Sequence, residues 1–306
     1  MSINNTRPLP GLLAGLAVLA PLMTVLGTVE AAVAGPAAQP VELKGIATQG
    51  GLLRGHVTPG AKVVYGDEVL QVSPEGYFLL GFGRDAPLES ELLIELPDGE
   101  RRTHVLSLEK RAYEEQHIDG LPHNKVTPSQ KDLDRIWAEQ KLLNAARARN
   151  DARTDFLTDF IWPVTGRISG VYGSRRVLNG IPKRPHMGVD IAAPQGTPVV
   201  APADGVVSLV YNDMFYTGGT LMLQHGHGLS TMYIHLSKIL VKKGQEVQQG
   251  DKIAEVGMTG RATGPHLHWA MTLHNVFLDP ALLVGPMSAP LEASAKLEVP
   301  VEAEEK

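Results

Sequence analysis

The chain has 306 residues, 43% of them apolar and 20% charged, with a formal net charge of −5. This composition suits a folded protein of about two domains and gives no electrostatic reason to expect nucleic acid or an anionic membrane as partner. Cysteine is absent, which excludes disulfides, thiolate-ligated metal, a thiol nucleophile and lipidation of an N-terminal cysteine.

Residues 1–34 read as an export signal. Arg7 supplies the positive end, Leu9 to Val29 is apolar and uncharged, and Ala32-Val33-Ala34 is a small-residue cleavage site. An uncleaved anchor is the rival, since ~20 apolar residues can span a bilayer. Pro21 in the middle of the segment favours cleavage near Gly35 and no stable membrane insertion afterwards. Either reading carries the remainder across the inner membrane, with the periplasm as the expected destination.

Residues 41–108 show short apolar runs such as Lys62-Val63-Val64-Tyr65 and Leu92 to Leu96. Pro59-Gly60, Pro74-Glu75-Gly76 and Pro97-Asp98-Gly99 punctuate them, proline presetting φ and glycine accepting positive φ. A small β-sandwich is expected, with no catalytic constellation in it. Residues 109–160 form a helical linker. Thr127-Pro128-Ser129-Gln130 predicts a helix start, with Thr127 as cap, Pro128 in the first turn and Gln130 closing a capping box. Leu133, Ile136, Trp137 and Leu143 predict its apolar face, and the helix should run to about Arg149.

Residues 161–286 are dense in Gly, Pro and β-branched side chains, so a compact all-β domain is expected. Gly196-Thr-Pro-Val199 followed by Gly205-Val206-Val207 is echoed by Gly244-Gln-Glu-Val247 followed by Gly250-Asp-Lys-Ile253. Each predicts strand, tight turn, strand, as in stacked hairpins. Residues 287–306 are an Ala/Glu-rich acidic tail, expected to be disordered.

Without cysteine, a metal site must use His, Asp or Glu. Seven of the eleven histidines fall between His186 and His274. In His186-Met-Gly-Val-Asp190-Ile, strand alternation points Asp190 away from Val189 and Ile191, so His186 and Asp190 could share a metal. Alone this spacing is weak. In Pro265-His266-Leu267-His268-Trp269, both histidines project from one strand face while Leu267 and Trp269 face a core. They could bind one metal together, or one could bind while the other acts on substrate. Tyr233-Ile234-His235-Leu236 isolates one more histidine among apolar neighbours.

Taken together these segments resemble the lysostaphin/LytM family of zinc metallopeptidases. The likeness spans about 120 residues: Gly166-Arg-Ile168, Tyr172-Gly-Ser-Arg175, His186-x-x-x-Asp190, Ala201-Pro-Ala-Asp-Gly205, His225-Gly226, Tyr233-x-His235-Leu236, Gly257-Met-Thr-Gly260, Thr263-Gly-Pro-His-Leu-His268 and Asp279-Pro280. The resemblance implies a mainly β protein whose C-terminal all-β peptidase domain is preceded by the sandwich and the connector. It implies His186, Asp190 and His268 as ligands of one Zn2+, a fourth position for water, and His235 and His266 as the catalytic pair. It implies a metalloendopeptidase acting on peptidoglycan cross-links or stem peptides during wall remodelling, the D-alanyl–diaminopimelate bond foremost. The alternative is an exported scaffold that activates a cell-wall amidase without catalysis, against which the intact ligand set counts. His225-Gly226-His227 is a decoy in this pattern, and His56, His104, His117, His123 and His274 carry no expected role. Two departures stand out. Trp269-Ala270 replaces the aromatic–Glu pair of many members, leaving an acidic partner for a ligand imidazole missing or supplied elsewhere. Arg261 occupies a loop position often held by a small polar residue, where it is either a solvated side chain or a contact for an anionic substrate group.

Overall fold

The computed structural model describes residues 41–287; the expected leader, and all of the expected tail beyond Met287, lie outside them. The turn-punctuated N-terminal stretch forms β1 (Glu42–Gly45), β2 (Leu52–His56), β3 (Lys62–Tyr65), β4 (Glu68–Val69), β5 (Tyr77–Gly81), β6 (Glu89–Glu95) and β7 (Arg101–Ser107). Sheets β1-β2-β5 and β4-β3-β6-β7 share a core of Leu53, Val63, Phe78, Leu80, Leu92 and Ile94. The neighbours Leu52 and Leu79 point to the other face of their sheet by alternation and join the core of the following domain. One sheet therefore serves two cores.

The linker is less helical than its composition suggests. It contains β8 (Glu115–Ile118), α1 (His123–Val126) and α2 (Gln130–Arg147). The cap of α2 is Ser129, not Thr127. Its hydroxyl accepts from the Asp132 N–H while the Asp132 carboxylate accepts from the Ser129 N–H, a reciprocal box that Thr127 and Gln130 do not form. Of the expected apolar face, Trp137 alone turns outward, 65% exposed; Leu133 and Ile136 are partly buried, and Leu143 packs with Ala146 against Leu209, Met214, Met232 and Ile234. The helix lies on the following domain.

That domain holds β9 (Arg167–Gly170), β10 (Arg175–Leu178), β11 (Ile181–Lys183), β12 (Val189–Ala192), β13 (Pro198–Val200), β14 (Gly205–Met214) and β15 (Gly218–Gln224). It continues with β16 (Leu229–Leu236), β17 (Lys238–Ile239), β18 (Glu246–Val247), β19 (Lys252–Glu255), β20 (His266–Leu273) and β21 (Val276–Leu278). The main sheet runs β18-β14-β15-β16-β20-β12-β9, with β21 added to β20. One face carries Leu223, Tyr233, Ile191, Leu267 and Trp269 into the core. A small sheet β13-β19-β17 contributes Val199, Ile253 and Ala254 to the same core.

The echoed glycine segments do not make separate hairpins. β13 of the first pairs with β19 of the second, Val199 opposite Ala254, and the start of β14 pairs with β18, Gly205 opposite Val247. Each copy thus supplies the other's strand partner, and the ladders that a local hairpin would have filled are closed across the pair. Among the described residues no helix is long and apolar enough to cross a membrane.

Candidate metal centre

Three adjacent strands build the site. Asp190 on β12 stands directly opposite His268 on β20, and Ile234 on β16 stands opposite His268 from the other side. Because Val189, Ile191, Leu267 and Trp269 take the core face, Asp190, His266 and His268 must share the outer one. His186 arrives from the segment before β12. Its backbone is held by the Ser174 and Gly173 peptides, and its Nδ1 donates to the Val171 carbonyl at 3.0 Å.

His235 reaches the same face by a different device. Tyr233 and Leu236 are both in the core although three positions apart, so the alternation slips by one residue between them. The slip falls on His235, whose φ is 65°, where the β15–β16 ladder loses its register between Gly219 and Leu221. A left-handed backbone at a non-glycine residue costs ~1–2 kcal/mol. Here it re-aims an imidazole that simple alternation would send into the core.

The donor atoms converge tightly. His186 Nε2 lies 3.0 Å from Asp190 Oδ1 and 2.8 Å from His268 Nδ1, and His268 Nδ1 lies 2.7 Å from Asp190 Oδ1. All three residues are buried, and among the described residues they are the group of His, Asp and Glu side chains able to hold a metal. The chemistry of the set fits a cation. With Nδ1 of His186 committed as donor, Nε2 presents a lone pair to a carboxylate oxygen at 3.0 Å. Two acceptors at that distance repel unless a positive centre, a proton or a metal ion, lies between them. The triangle is slightly smaller than the ~3.3 Å edges of a tetrahedron with ~2.0–2.1 Å bonds.

Burial works against the Asp190 carboxylate, but the hydrogen bonds and charge of His186 and His268 outweigh it and hold the group well below the usual range. Burial, opposed by Asp190, pushes His268 down to about 4. His235 is pushed down to about 3 by burial and then by His266 and His268. His235 donates from Nδ1 to the Thr259 carbonyl and His266 from Nδ1 to the Gly264 carbonyl, both at 2.8 Å. His235 therefore keeps Nε2 as a proton acceptor, and the Nε2 of His266 is left free of the backbone. Their ring centroids are 4.7 Å apart, and His266 Nε2 is 3.9 Å from Asp190 Oδ1.

Other histidines stand apart. His225 bonds the Asp204 carbonyl and Thr231, and His227 packs its ring 4.9 Å from Phe156. The orienting groups that motif order did not single out are Arg176, Gly170 and Gly188. Arg176 donates to Asp190 Oδ2 at 2.6 Å. A Cβ on Gly170 would lie 2.5 Å from that same oxygen, and one on Gly188 would lie 2.7 Å from His268 Nε2. The two glycines are legible as close-approach positions flanking the ligand strand; Arg176 is legible only as a charged residue on the same strand face as Leu178. The ligand imidazole of His186 is oriented by a backbone carbonyl rather than by an acidic side chain.

Comparison with known proteins points the same way. The sequence model of peptidase family M23 matches residues 184–280. The peptidoglycan DD-endopeptidase ShyA of Vibrio cholerae is 50% identical over 107 residues, 34% of this chain and 24% of that protein. The DD-carboxypeptidase/endopeptidase Mpg of Neisseria meningitidis is 41% identical over 120 residues, 39% of this chain and 27% of that protein. The matched part of the chain spans only about a quarter of the length of these curated relatives. A crystal structure from Pseudomonas aeruginosa, described as a peptidase M23, is 30% identical, with a TM-score of 0.60 over 78% of this chain and 94% of that one. With that coverage added to the matched segment around the His186–Asp190–His268 cluster, the chain belongs to peptidase family M23.

Proposed function

We propose that the protein is an exported zinc metalloendopeptidase that hydrolyses peptide cross-links or stem peptides of peptidoglycan, the D-alanyl–diaminopimelate amide first among them. The convergence of His186, Asp190 and His268 beside two imidazoles with free Nε2 atoms carries this reading. The relatives' activities on peptidoglycan support the substrate class. The same relatives, being wall enzymes, support action in the periplasm.

His186, Asp190 and His268 would hold the zinc through Nε2, Oδ1 and Nδ1. Bound there, the metal supplies Lewis acidity toward a carbonyl and makes water more acidic. The protein's own groups do the rest. His235 and His266 offer Nε2 atoms on one side of the cluster, fixed in orientation by the Thr259 and Gly264 carbonyls. One can take the proton of the attacking water and the pair can return it to the departing amine. Arg176 keeps the Asp190 carboxylate turned so that only Oδ1 faces the imidazoles. The two imidazoles stand where other zinc peptidases use a Glu general base.

The test is digestion of purified sacculi by the zinc-loaded protein, with mass spectrometry of the released muropeptides. Loss of cross-linked dimers in favour of monomers with a free diaminopimelate amine is expected. Intact sacculi after incubation with zinc-replete protein would refute the reading and return the amidase-activator alternative.

A further inference from the structure

Two depressions flank His235, and their charge is one-sided. One is lined by Arg167, Arg176 and Arg261, the other by Arg176, Lys183, Arg184 and Arg261. Asp190, in the first, is the one acidic side chain among their described lining residues, and it is already claimed by Arg176 and the imidazoles. Arg261 lines both depressions. Its place is fixed: the backbone N–H bonds the Tyr216 carbonyl at 2.8 Å, and the guanidinium carbon lies 4.5 Å over the Tyr216 ring. Its polar contact is one long bond, 3.4 Å, to the Lys125 carbonyl. Among the described residues it has no carboxylate partner. Burial holds the guanidinium below its ordinary value, and Arg176 adds to this.

A half-buried guanidinium with most of its five donors unspent is costly unless something anionic and planar completes it. The fork matches a carboxylate in bidentate fashion, which a lysine ammonium does not. The stacked ring restricts the guanidinium before any ligand arrives, so little entropy is lost on pairing. His235 and His266 line the same depression as Arg261, so an anion paired with Arg261 would share one cleft with the two imidazoles.

We propose that Arg261 is a specificity residue that pairs with a free carboxylate on the peptide substrate, borne by a residue adjoining the scissile amide. This rests on the reading of the cleft as a peptidase site. Selectivity then comes from the cationic walls: peptides whose flanking carboxylates are amidated bind poorly, although the scissile amide is unchanged.

The experiment uses the zinc-loaded full chain and two matched pairs of cross-linked stem-peptide analogues. In each pair the carboxylates flanking the scissile position are free in one member and carboxamides in the other. One pair has a cleavable amide; the other has a ketomethylene (–CO–CH2–) isostere for equilibrium binding by calorimetry. The free-acid isostere should bind about 10- to 100-fold more tightly than the carboxamide, the range of a charge-assisted hydrogen bond. The gap should collapse in Arg261→Met and return in part in Arg261→Lys, and cleavage should lose the same preference mainly through KM. Equal binding of the two isosteres by the unmodified protein overturns the inference without any variant being needed. A preference that survives in Arg261→Met overturns the assignment to Arg261. If the acid preference holds but neither amide is ever cleaved, the peptidase reading fails and the carboxylate site stands.

Discussion

Arg176 Nη2 donates to Asp190 Oδ2 at 2.6 Å, so the carboxylate is divided: one oxygen to a guanidinium on β10, the other to the imidazoles of His186 and His268. The division fixes the carboxylate's rotation, and with it the direction of the oxygen offered to a metal. Removing the outer partner of a ligand typically costs 10–100-fold in metal affinity. Arg176→Ala should therefore lower zinc affinity by about that factor, read by competition with a chromophoric chelator. Arg176→Lys, which keeps charge but not the fork, should fall between. Unchanged affinity in Arg176→Ala would mean that Asp190 is held by the imidazoles alone.

Roles within the histidine cluster separate by metal content. His186→Ala, Asp190→Ala and His268→Ala should each lose bound zinc, because each removes an atom of the close triangle. His235→Ala and His266→Ala should retain about one zinc per chain while turnover falls by 10²-fold or more, the scale of general acid–base catalysis. Elemental analysis of the five variants decides it. Zinc lost from His266→Ala but kept in His268→Ala would reverse the assignment within β20.

Much of this site was legible before the fold. Strand alternation alone puts His266 with His268 and Asp190 away from Val189 and Ile191, and the order of short motifs singles out His186 and His235. What alternation could not reveal is how His235 joins them. Its φ of 65° is a local break of the pattern, and a pattern argument is blind where the pattern slips. Arg176 escapes the pattern for a related reason: β10 pairs in parallel with β8 from the linker, in a sheet separate from that of β12, and reaches Asp190 through its side chain. That pairing depends on residues some sixty positions apart, for which neither strand carries a signal. The echoed glycine segments look like hairpins in sequence because turn chemistry is local, whereas their crossed pairing is not. The cap of α2 shifted by two residues because Ser129 and Asp132 exchange bonds.

Away from the cluster, His225 gives the fold a pH dependence. Burial, only partly offset by the hydrogen bond to the Asp204 carbonyl, pushes its pKa down from 6.5 to about 4. The unfolded chain therefore binds a proton that the folded chain refuses between those values. Stability from this group is fully present above pH ~6.5, falls as pH drops through that window, and is lost by pH ~4, a total of roughly 3 kcal/mol. Urea unfolding at pH 7.5 and pH 5 should show the loss. His225→Gln, which cannot titrate, should be less stable at pH 7.5 yet show a flatter profile. An equally steep profile in the variant would assign the acid sensitivity to other groups.

Truncation tests how far the peptidase domain is self-sufficient. Its sequence boundary near residue 161 suggests that a fragment starting at Phe160 could stand alone, yet many contacts cross that boundary, and three bear most directly on it. Leu143 and Ala146 of α2 cover Met214, Met232 and Ile234 on the face that also carries His268. Gln224, fully buried, donates its amide to the Ala146 carbonyl at 2.7 Å. β8 pairs with β10, the strand that presents Arg176 to Asp190. A fragment from Phe160 would leave a row of methionine and isoleucine side chains in water and a buried amide without its acceptor, at ~1–3 kcal/mol for the amide alone. It would also release the inner edge of β10. A fragment from Lys110 keeps β8, α1 and α2 and gives up only the sandwich, exposing the patch that Leu52 and Leu79 cover. The Lys110 fragment should therefore melt cooperatively and bind one zinc, and the Phe160 fragment should melt at least 10 °C lower or aggregate, consistent with ~4–8 °C per kcal/mol lost for a small domain. Calorimetry and zinc analysis of the two fragments measure this. Equal melting temperatures and equal zinc affinity would show that α2 and β8 rest on the domain without supporting it, and that Arg176 is positioned from within β10 and β11 alone.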